Sequence, residues 1–281
     1  TKIKLKRSTT AATVPTTSNL EDGEVAVNIA DRKIYVRNGA SVVEVANQVP
    51  STGTVSSSML ATDITNGPGQ TYYVATTGSN VNTLGSGGAN GKHQDTPFLT
   101  IEKALSVATS GDTVLIGAGT FQETFPLTVP DGVTVKGTNL RSTQIIPTSG
   151  TNDLNAFILS GDVHISDLTV KDFFYNSSND TGYGFVCASS LDSDRSPYLE
   201  RVTVLTKGSV TSGTDPYGFA QGDAGRGAKL DGALFAASGI ESAILFNEAT
   251  FIVPNSVGIL LTNGVRVEWL NSFIYFANEG I

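Results

Sequence analysis

"DTGYGFVCASS" at residues 180–190 and "TDPYGFAQGDA" at 214–224 carry the same triplet, Tyr183-Gly184-Phe185 and Tyr217-Gly218-Phe219, 34 residues apart. A second feature moves by the same step: the runs "SDLTV" at 166–170 and "ERVTV" at 200–204 place Leu168 and Val202 34 residues apart as well. Two features displaced together define a repeating unit. The pattern continues with looser spacing, "NEATF" at 247–251 being followed by "SVGIL" at 256–260, and "LNSFI" at 270–274 by "NEGI" at 278–281. The first element of each unit thus reads Leu168-Thr-Val170, Val202-Thr-Val204, Ala249-Thr-Phe251 and Ser272-Phe-Ile274. Mostly apolar-polar-apolar, with β-branched and aromatic residues, these are short strands. The second element keeps a central glycine: Gly184, Gly218, Gly258 and Gly280. Units of variable length built on fixed short strands form a solenoid whose loops differ from turn to turn. In such a stack Phe185, Phe219, Ile259 and Ile281 are expected to face inward and the glycines outward.

Composition agrees with an all-β chain. Of 281 residues 30 are Gly and only 16% are charged, as expected where Gly, Asn and Asp punctuate short strands. No run of about 18 apolar residues exists to span a membrane, and "TKIKLKRSTT" lacks the apolar core of a secretory signal. The net charge is −8, and because residues 1–50 carry seven basic and five acidic side chains, the remainder holds −10. That balance argues against nucleic-acid binding. The lone Cys187 allows no disulfide within the chain and reads as a small buried hydrophobe.

The chain divides into three parts. Residues 1–49 hold a basic first strand, a Pro15-containing connection and a strand-turn-strand-turn-strand series with turns at Asp31-Arg32 and Asn38-Gly39. In the first strand Lys2, Lys4, Lys6 and Arg7 alternate with Ile3 and Leu5, the pattern of a half-buried strand. Residues 50–70, rich in Ser, Thr and Gly, read as a linker. From Thr71 onward strands alternate with turns. One helix is expected over 97–109, beginning near Thr96-Pro97, with Ile101, Leu105 and Ala108 on one face and its end before Gly111.

Three stretches resemble known families. The segment "LKRSTTAATVPTTSNLEDGEVAVNIADRKIYVRNGASVVEVA" resembles the N-terminal module of phage tail-fibre and other virion proteins, which implies attachment to the particle or nucleation of a trimer. Lys4, Leu5, Lys6, Arg7, Gly23 and Glu24 are the candidate attachment residues. Tyr72-Tyr73-Val74, Gly78-Ser79, "PFLTIEKAL" at 97–105, Gly111-Asp112-Thr113-Val114 and Gly119-Thr120-Phe121 resemble, in order, the opening of the pectate-lyase-like right-handed parallel β-helix superfamily. The resemblance implies a small antiparallel β module followed by a right-handed parallel β-helix over 71–281, capped by the one α-helix, which would cover an otherwise open core. The stretch from "DAGRGAKLDGALF" to "FANEGI" is also similar to structural proteins of phages infecting marine bacteria.

Enzymes of this fold need a carboxylate pair, or a calcium-binding carboxylate cluster with a basic residue. The candidates are Asp192, Asp194 and Arg195 in "LDSDRSPY" and Asp223, Arg226 and Asp231 in "GDAGRGAKLDG". Both groups fall between strands, where Asp forms turns and Arg makes surface pairs, with glycan contact as the competing role of Asp192, Asp194 and Arg195. His93 and His164 stand far apart without a cysteine cluster, so neither a metal nor any other cofactor is expected. Tyr72, Tyr73, Tyr175, Tyr183, Tyr198 and Tyr217 are expected to pack in the core or on sheet faces, with a sugar-stacking surface as the alternative.

The functional expectation is a phage virion appendage protein, not itself an enzyme. It would form a homotrimer through the flat glycine face, be held to other virion proteins by residues 1–49, and support contact with a host glycan. A polysaccharide depolymerase and a secreted glycan-binding adhesin are the alternatives. Because "NEGI" occupies the place of a strand just begun, the rod is expected to continue in further sequence or in another chain.

Overall fold

In the computed structural model, residues 5–47, 69–81, 90–187, 196–206, 224–235 and 243–281 are described. They fall into two compact units, Thr1–Gly67 and Pro68–Ile281. All but two of the residues expected to form the linker at 50–70 lie outside the described ones.

In the first unit, β1 (Lys6–Ser8), β2 (Val25–Asn28), β3 (Lys33–Asn38) and β4 (Ser41–Asn47) form one sheet in that order. β2, β3 and β4 are the expected antiparallel meander, with Arg32 and Gly39 at φ of 56° and 57° in its two turns. The first strand joins parallel to β2, which the long Pro15 connection permits. Leu5 before β1 is exposed, and so are Lys6 and Arg7 within it, so the strand is not half-buried as the alternation suggested. The buried Asn28 side chain holds the connection, donating to Thr10 O, Thr13 O and Asp31 Oδ2 at 3.0, 2.9 and 2.8 Å.

The second unit is a right-handed parallel β-helix. After β5 (Thr71–Val74), coils are built from β6 (Thr113–Ile116), β7 (Gly119–Glu123) and β8 (Leu127–Val129), then β9 (Thr134–Gly137), β10 (Thr143–Pro147) and β11 (Phe157–Leu159). They continue through β12 (His164–Lys171) with β13 (Tyr183–Cys187), β14 (Tyr198–Leu205) with β15 (Arg226–Asp231), β16 (Ala243–Asn247), β17 (Thr250–Ile252) and β18 (Ile259–Thr262), ending with β19 (Arg266–Leu270) and β20 (Phe273–Tyr275). Thr113, Thr134, His164, Tyr198, Leu245 and Glu268 share one register position, so successive coils take 21, 30, 34, 47 and 23 residues. The 34-residue step is therefore one coil among unequal ones, and Leu168 does pair with Val202.

Inward residues line up from coil to coil on each face, often more than one per strand, as with Val114 and Ile116 or Leu127 and Val129. Val114, Val135, Ile165, Leu199, Phe246 and Trp269 form one column. Phe121, Ile145, Val170, Val204, Phe251 and Ile274 form a second, and Leu127, Phe157, Phe185, Ala228 and Ile259 a third. These columns interdigitate into one core. Between the first two faces the chain bends through a left-handed residue in four successive coils, Asp167, Arg201, Glu248 and Asn271, at φ of 60°, 48°, 55° and 49°. These are the polar second residues of "SDLTV", "ERVTV", "NEATF" and "LNSFI".

The glycine column is real, with two corrections. Its second member is Gly227 in Arg226-Gly227-Ala228, because β15 is the strand paired with β13, Tyr183 opposite Arg226 and Phe185 opposite Ala228. Tyr217-Gly218-Phe219 lies outside the described residues. Val257 does bridge to Glu279, as the alignment of "SVGI" and "NEGI" requires, although Ile281 is exposed rather than inside. The glycines also do not present a flat outer face. A Cβ on Gly184 would lie 2.7 Å from Val204, one on Gly227 2.3 Å from the Phe251 ring, and one on Gly258 2.7 Å from Ile274. Each glycine is thus a socket for the second-face side chain of the following coil.

The cap is α1 (Ile101–Leu105), much shorter than the 97–109 expected. Phe98 is held in a bridge to Val74, so the chain enters extended. Thr100 then caps the helix by accepting from the Lys103 N–H. At the far end Asp112 Oδ2 accepts from Thr109 N and Oγ1, closing a turn. Ile101, Leu105 and Ala108 are buried as the spacing implied, and the helix packs on β5 to β8.

Beneath α1 the buried Glu123 accepts from the N–H groups of Ile101 and Glu102 at 2.8 and 3.1 Å. Burial outweighs these bonds and pushes its carboxyl up to about 7 from 4.5. The folded chain therefore keeps this proton where the unfolded chain has lost it, so the Glu123 contribution is present at low pH and is lost as pH rises from about 4.5 to about 7. We expect Glu123→Gln to remove that slope, its stability relative to wild type rising by on the order of 2 kcal/mol across the window. Thermal melts at both pH limits measure it, and a constant difference would refute it.

Candidate functional site

The N-terminal candidates converge in part. Lys6 Nζ donates to Glu24 Oε2 at 2.8 Å and to Asn19 O at 2.6 Å, while Glu24 Oε2 also accepts from Glu21 N. Both side chains thus serve the module itself, and the Lys6 bond holds the Glu24 carboxyl below its ordinary range. Gly23, at φ 80°, turns the chain into β2, its N–H bonding Arg37 O at 2.8 Å. Leu5, just before β1, and Arg7 within it are exposed, and Lys4 lies outside the described residues. A cleft of about 260 Å³ beside β1 is lined by Lys6, Arg7, Val14, Pro15 and Tyr35 among others.

Asp192, Asp194, Arg195 and Asp223 lie outside the described residues. Asp231 does form a turn, accepting from Asn263 Nδ2 at 2.6 Å and Ala233 N at 3.0 Å, bonds that lower its pKa. His93 sits in an exposed loop 3.2 Å from Asp95. Cys187 is buried, which pushes its thiol up to about 12 and keeps it neutral. Among the described residues no group of three or more His, Cys, Asp and Glu could hold a metal ion, and no helix is long and apolar enough to cross a membrane.

His164 opens β12. Its ring stacks on Tyr198 at 5.2 Å, and Nε2, buried and unbonded among the described residues, lies 3.8 Å from Glu200. Burial lowers its pKa against the pull of Glu200. Beside it Arg201 pairs with Asp167 at 2.6 and 3.1 Å and with Glu200. The Arg201 bond holds Asp167 below the ordinary carboxylate range. The coil stack therefore fastens two left-handed bends together by a charge pair.

The densest arrangement is on the outer side of β13 and β15. After β12 the chain makes an excursion closed by an antiparallel bridge between Asn176 and Thr181. Asp153 anchors it, accepting from Asn176 Nδ2 at 2.8 Å and, through its backbone O, from Thr181 Oγ1 at 2.7 Å. This sets Tyr175 over Arg226, whose guanidinium carbon is 3.5 Å from the Tyr175 ring centre and 5.5 Å from that of Tyr183. The two rings meet edge to face at 5.9 Å. Arg226 Nη1 donates to Tyr183 Oη at 2.8 Å. Both tyrosine hydroxyls donate to Asp180 Oδ1, at 3.1 and 2.9 Å, and Lys229 Nζ donates to Oδ2 at 2.5 Å. The Lys229 bond lowers the Asp180 pKa, whereas burial, then Asp180, raises that of Tyr183.

Arg226 was legible as a candidate; Asp180 and Lys229 were not, since only coil stacking brings them to it. Of the other tyrosines, Tyr72 is buried against Phe98 at 6.1 Å and Tyr217 is outside the described residues.

Residues 83–155 match the model of a family described as a protein of unknown function, DUF1565. No curated protein matches the chain. Similar solved structures include a pectin methylesterase variant in complex with a hexasaccharide, at 15% identity and a TM-score of 0.39 over 72% of this chain and 65% of that one. A rhamnogalacturonan lyase shares 14% identity, with a TM-score of 0.39 over 73% of this chain and 56% of that one. ORF18 of Geobacillus virus E2 shares 14%, with a TM-score of 0.38 over 93% of this chain and 52% of that one. The chain thus spans between 52% and 65% of the length of these structures.

Proposed function

We propose that this chain is a structural protein of a phage appendage, in which residues 1–49 attach to the particle and the β-helix serves as a stiff spacer that supports host adsorption. The observation that carries the reading is the division into a small sheet with its own basic edge strand and a long stack of in-register coils. The similarity of the N-terminal segment to virion modules gives the sheet its role. A stack whose three inward columns interlock resists bending, which suits a spacer. A homotrimer remains part of the proposal on grounds of that similarity, but the glycine column no longer supports it, since its sockets are filled from within.

The test is incorporation. Particles assembled with a chain lacking residues 1–49 are expected to contain no detectable β-helix by immunoblot or immunogold labelling, although the purified remainder still unfolds cooperatively. Normal incorporation of the shortened chain, or absence of the intact chain from particles, would overturn the assignment.

A further inference from the structure

We propose that His164, Glu200, Arg201 and Asp167 form a proton-sensitive joint between the coils of β12 and β14, in which uptake of one proton by His164 Nε2 gives Glu200 a second cation and loosens the stack. The ring is fixed first. His164 and Tyr198 share a register position on neighbouring strands, and their rings stack at 5.2 Å. Nε2 then lies 3.8 Å from Oε2 of Glu200, two residues along β14 from Tyr198. At that separation no hydrogen bond forms. Whichever ring nitrogen carries the proton, Nε2 is sealed from water without a bonding partner among the described residues, even though the side chain as a whole keeps 35% of its exposure. A polar atom buried in that state is where a change of charge is felt most.

The surrounding charges set the sign. Glu200 is already committed: Arg201 Nη1 donates to its Oε1, while Nε and Nη2 of the same guanidinium hold Asp167 at 2.6 and 3.1 Å. Lys136 on β9 is the other cation near the ring. The following coil sets Leu245 and Asn247 beside Tyr198 and Glu200, with Glu248 at its bend. A proton on His164 therefore adds a third cation to two carboxylates and two cations, at an atom that water does not reach. Burial holds the imidazole below its ordinary 6.5, and the attraction of Glu200 offsets this only in part. The unfolded chain thus takes the proton at higher pH than the folded one. The stability contributed by neutral His164 is complete above 6.5 and is lost as pH falls from there through the folded value. Glu123 has the opposite sign, so acid tightens the capped end of the stack and loosens its middle.

NMR titration of the imidazole carbons in the full chain is the direct test, carried out in His93→Gln, which removes the other, exposed histidine and leaves one ring signal. The midpoint should lie below 6.5, and Glu200→Gln in that background should lower it further, because the carboxylate facing Nε2 is gone. Denaturant melts read the linked effect. Between about pH 7.5 and about pH 5 the unfolding equilibrium constant of the wild-type chain should rise about threefold or more relative to that of His164→Gln. The Glu123 slope cancels in this comparison, since both chains carry it. If His164→Gln does not fold, the midpoint and its displacement by Glu200→Gln still decide the matter. A midpoint at or above 6.5, a midpoint unmoved by Glu200→Gln, or the same pH dependence in the wild-type and His164→Gln chains would overturn the joint.

Discussion

Gly227→Val should leave the second unit unable to reach its native stack, and Gly227→Ala should already lower its stability by about 3 kcal/mol or more, a Tm shift of roughly 6–12 °C for a domain of this size. A Cβ at this position lies 2.1 Å from Gly258 O and 2.3 Å from Phe251 Cδ2. The ring could turn, but the oxygen is main chain, accepting from the Ala228 N–H of the preceding coil at 2.9 Å, so it cannot move without breaking the ladder. Trimming the ring should therefore rescue only in part: Phe251→Leu combined with Gly227→Ala should show a coupling energy of about 1 kcal/mol, leaving most of the loss in place. Gly117→Ala is the comparison, since its nearest contact is Val74 O at 3.3 Å, and it should change stability by about 1 kcal/mol or less. Equal melting temperatures for Gly227→Ala and Gly117→Ala would show that the socket is not tight.

Phe185→Ala should be the most damaging truncation in the core, at about 3–5 kcal/mol. Its ring is fully buried, stacked on Phe157 at 5.8 Å, and it stands 6.2 and 6.4 Å from Phe246 and Phe251. The neighbour below it in the third column is Ala228, which is too small to fill the space left behind. Collapse around the vacancy would need movement of three rings fixed by their own strands, so most of the cavity should persist. Phe273→Ala, on the outward side of β20 and 58% exposed, should change stability by less than about 0.5 kcal/mol. Denaturant melts of the two variants provide the measurement, and similar midpoints would refute the assignment of Phe185 to the core.

The inward strand positions were legible because alternation is set by the pleat, which does not depend on distant residues: Leu168 opposite Val202 follows from the run "SDLTV" meeting "ERVTV". The helix face was legible for the same reason, though not its length, because the extended Phe98 bridge and the Asp112 turn that shorten it depend on neighbouring coils. The misplaced triplet shows the limit of likeness between letters. Arg226-Gly227-Ala228 shares only its glycine with Tyr183-Gly184-Phe185, yet it takes the register position, since the socket requires glycine and tolerates any outward neighbour. The left-handed bends were in view as polar second residues, but polarity alone does not separate a bend from an outward strand position. The Arg226 face was least legible: its bonds to Tyr183 and Lys229 to Asp180 span 43 and 49 residues, across coils of unequal length.

The offset of the glycine sockets also constrains how such a chain can change over generations. Repeat arrays commonly grow and shrink by whole units, and a unit that packs only within itself can be lost without consequence for its neighbours. Here Gly184 receives Val204, Gly227 receives Phe251 and Gly258 receives Ile274, so three successive coils are each fitted to the next. Deleting the coil of Gly227 and Val204 would bring Phe251 against the socket of Gly184, which is shaped to a valine. Lengthening or shortening of the stack is thus expected to proceed at its ends, or by changes within the loops between strands, while the order of the interior coils is inherited as a block.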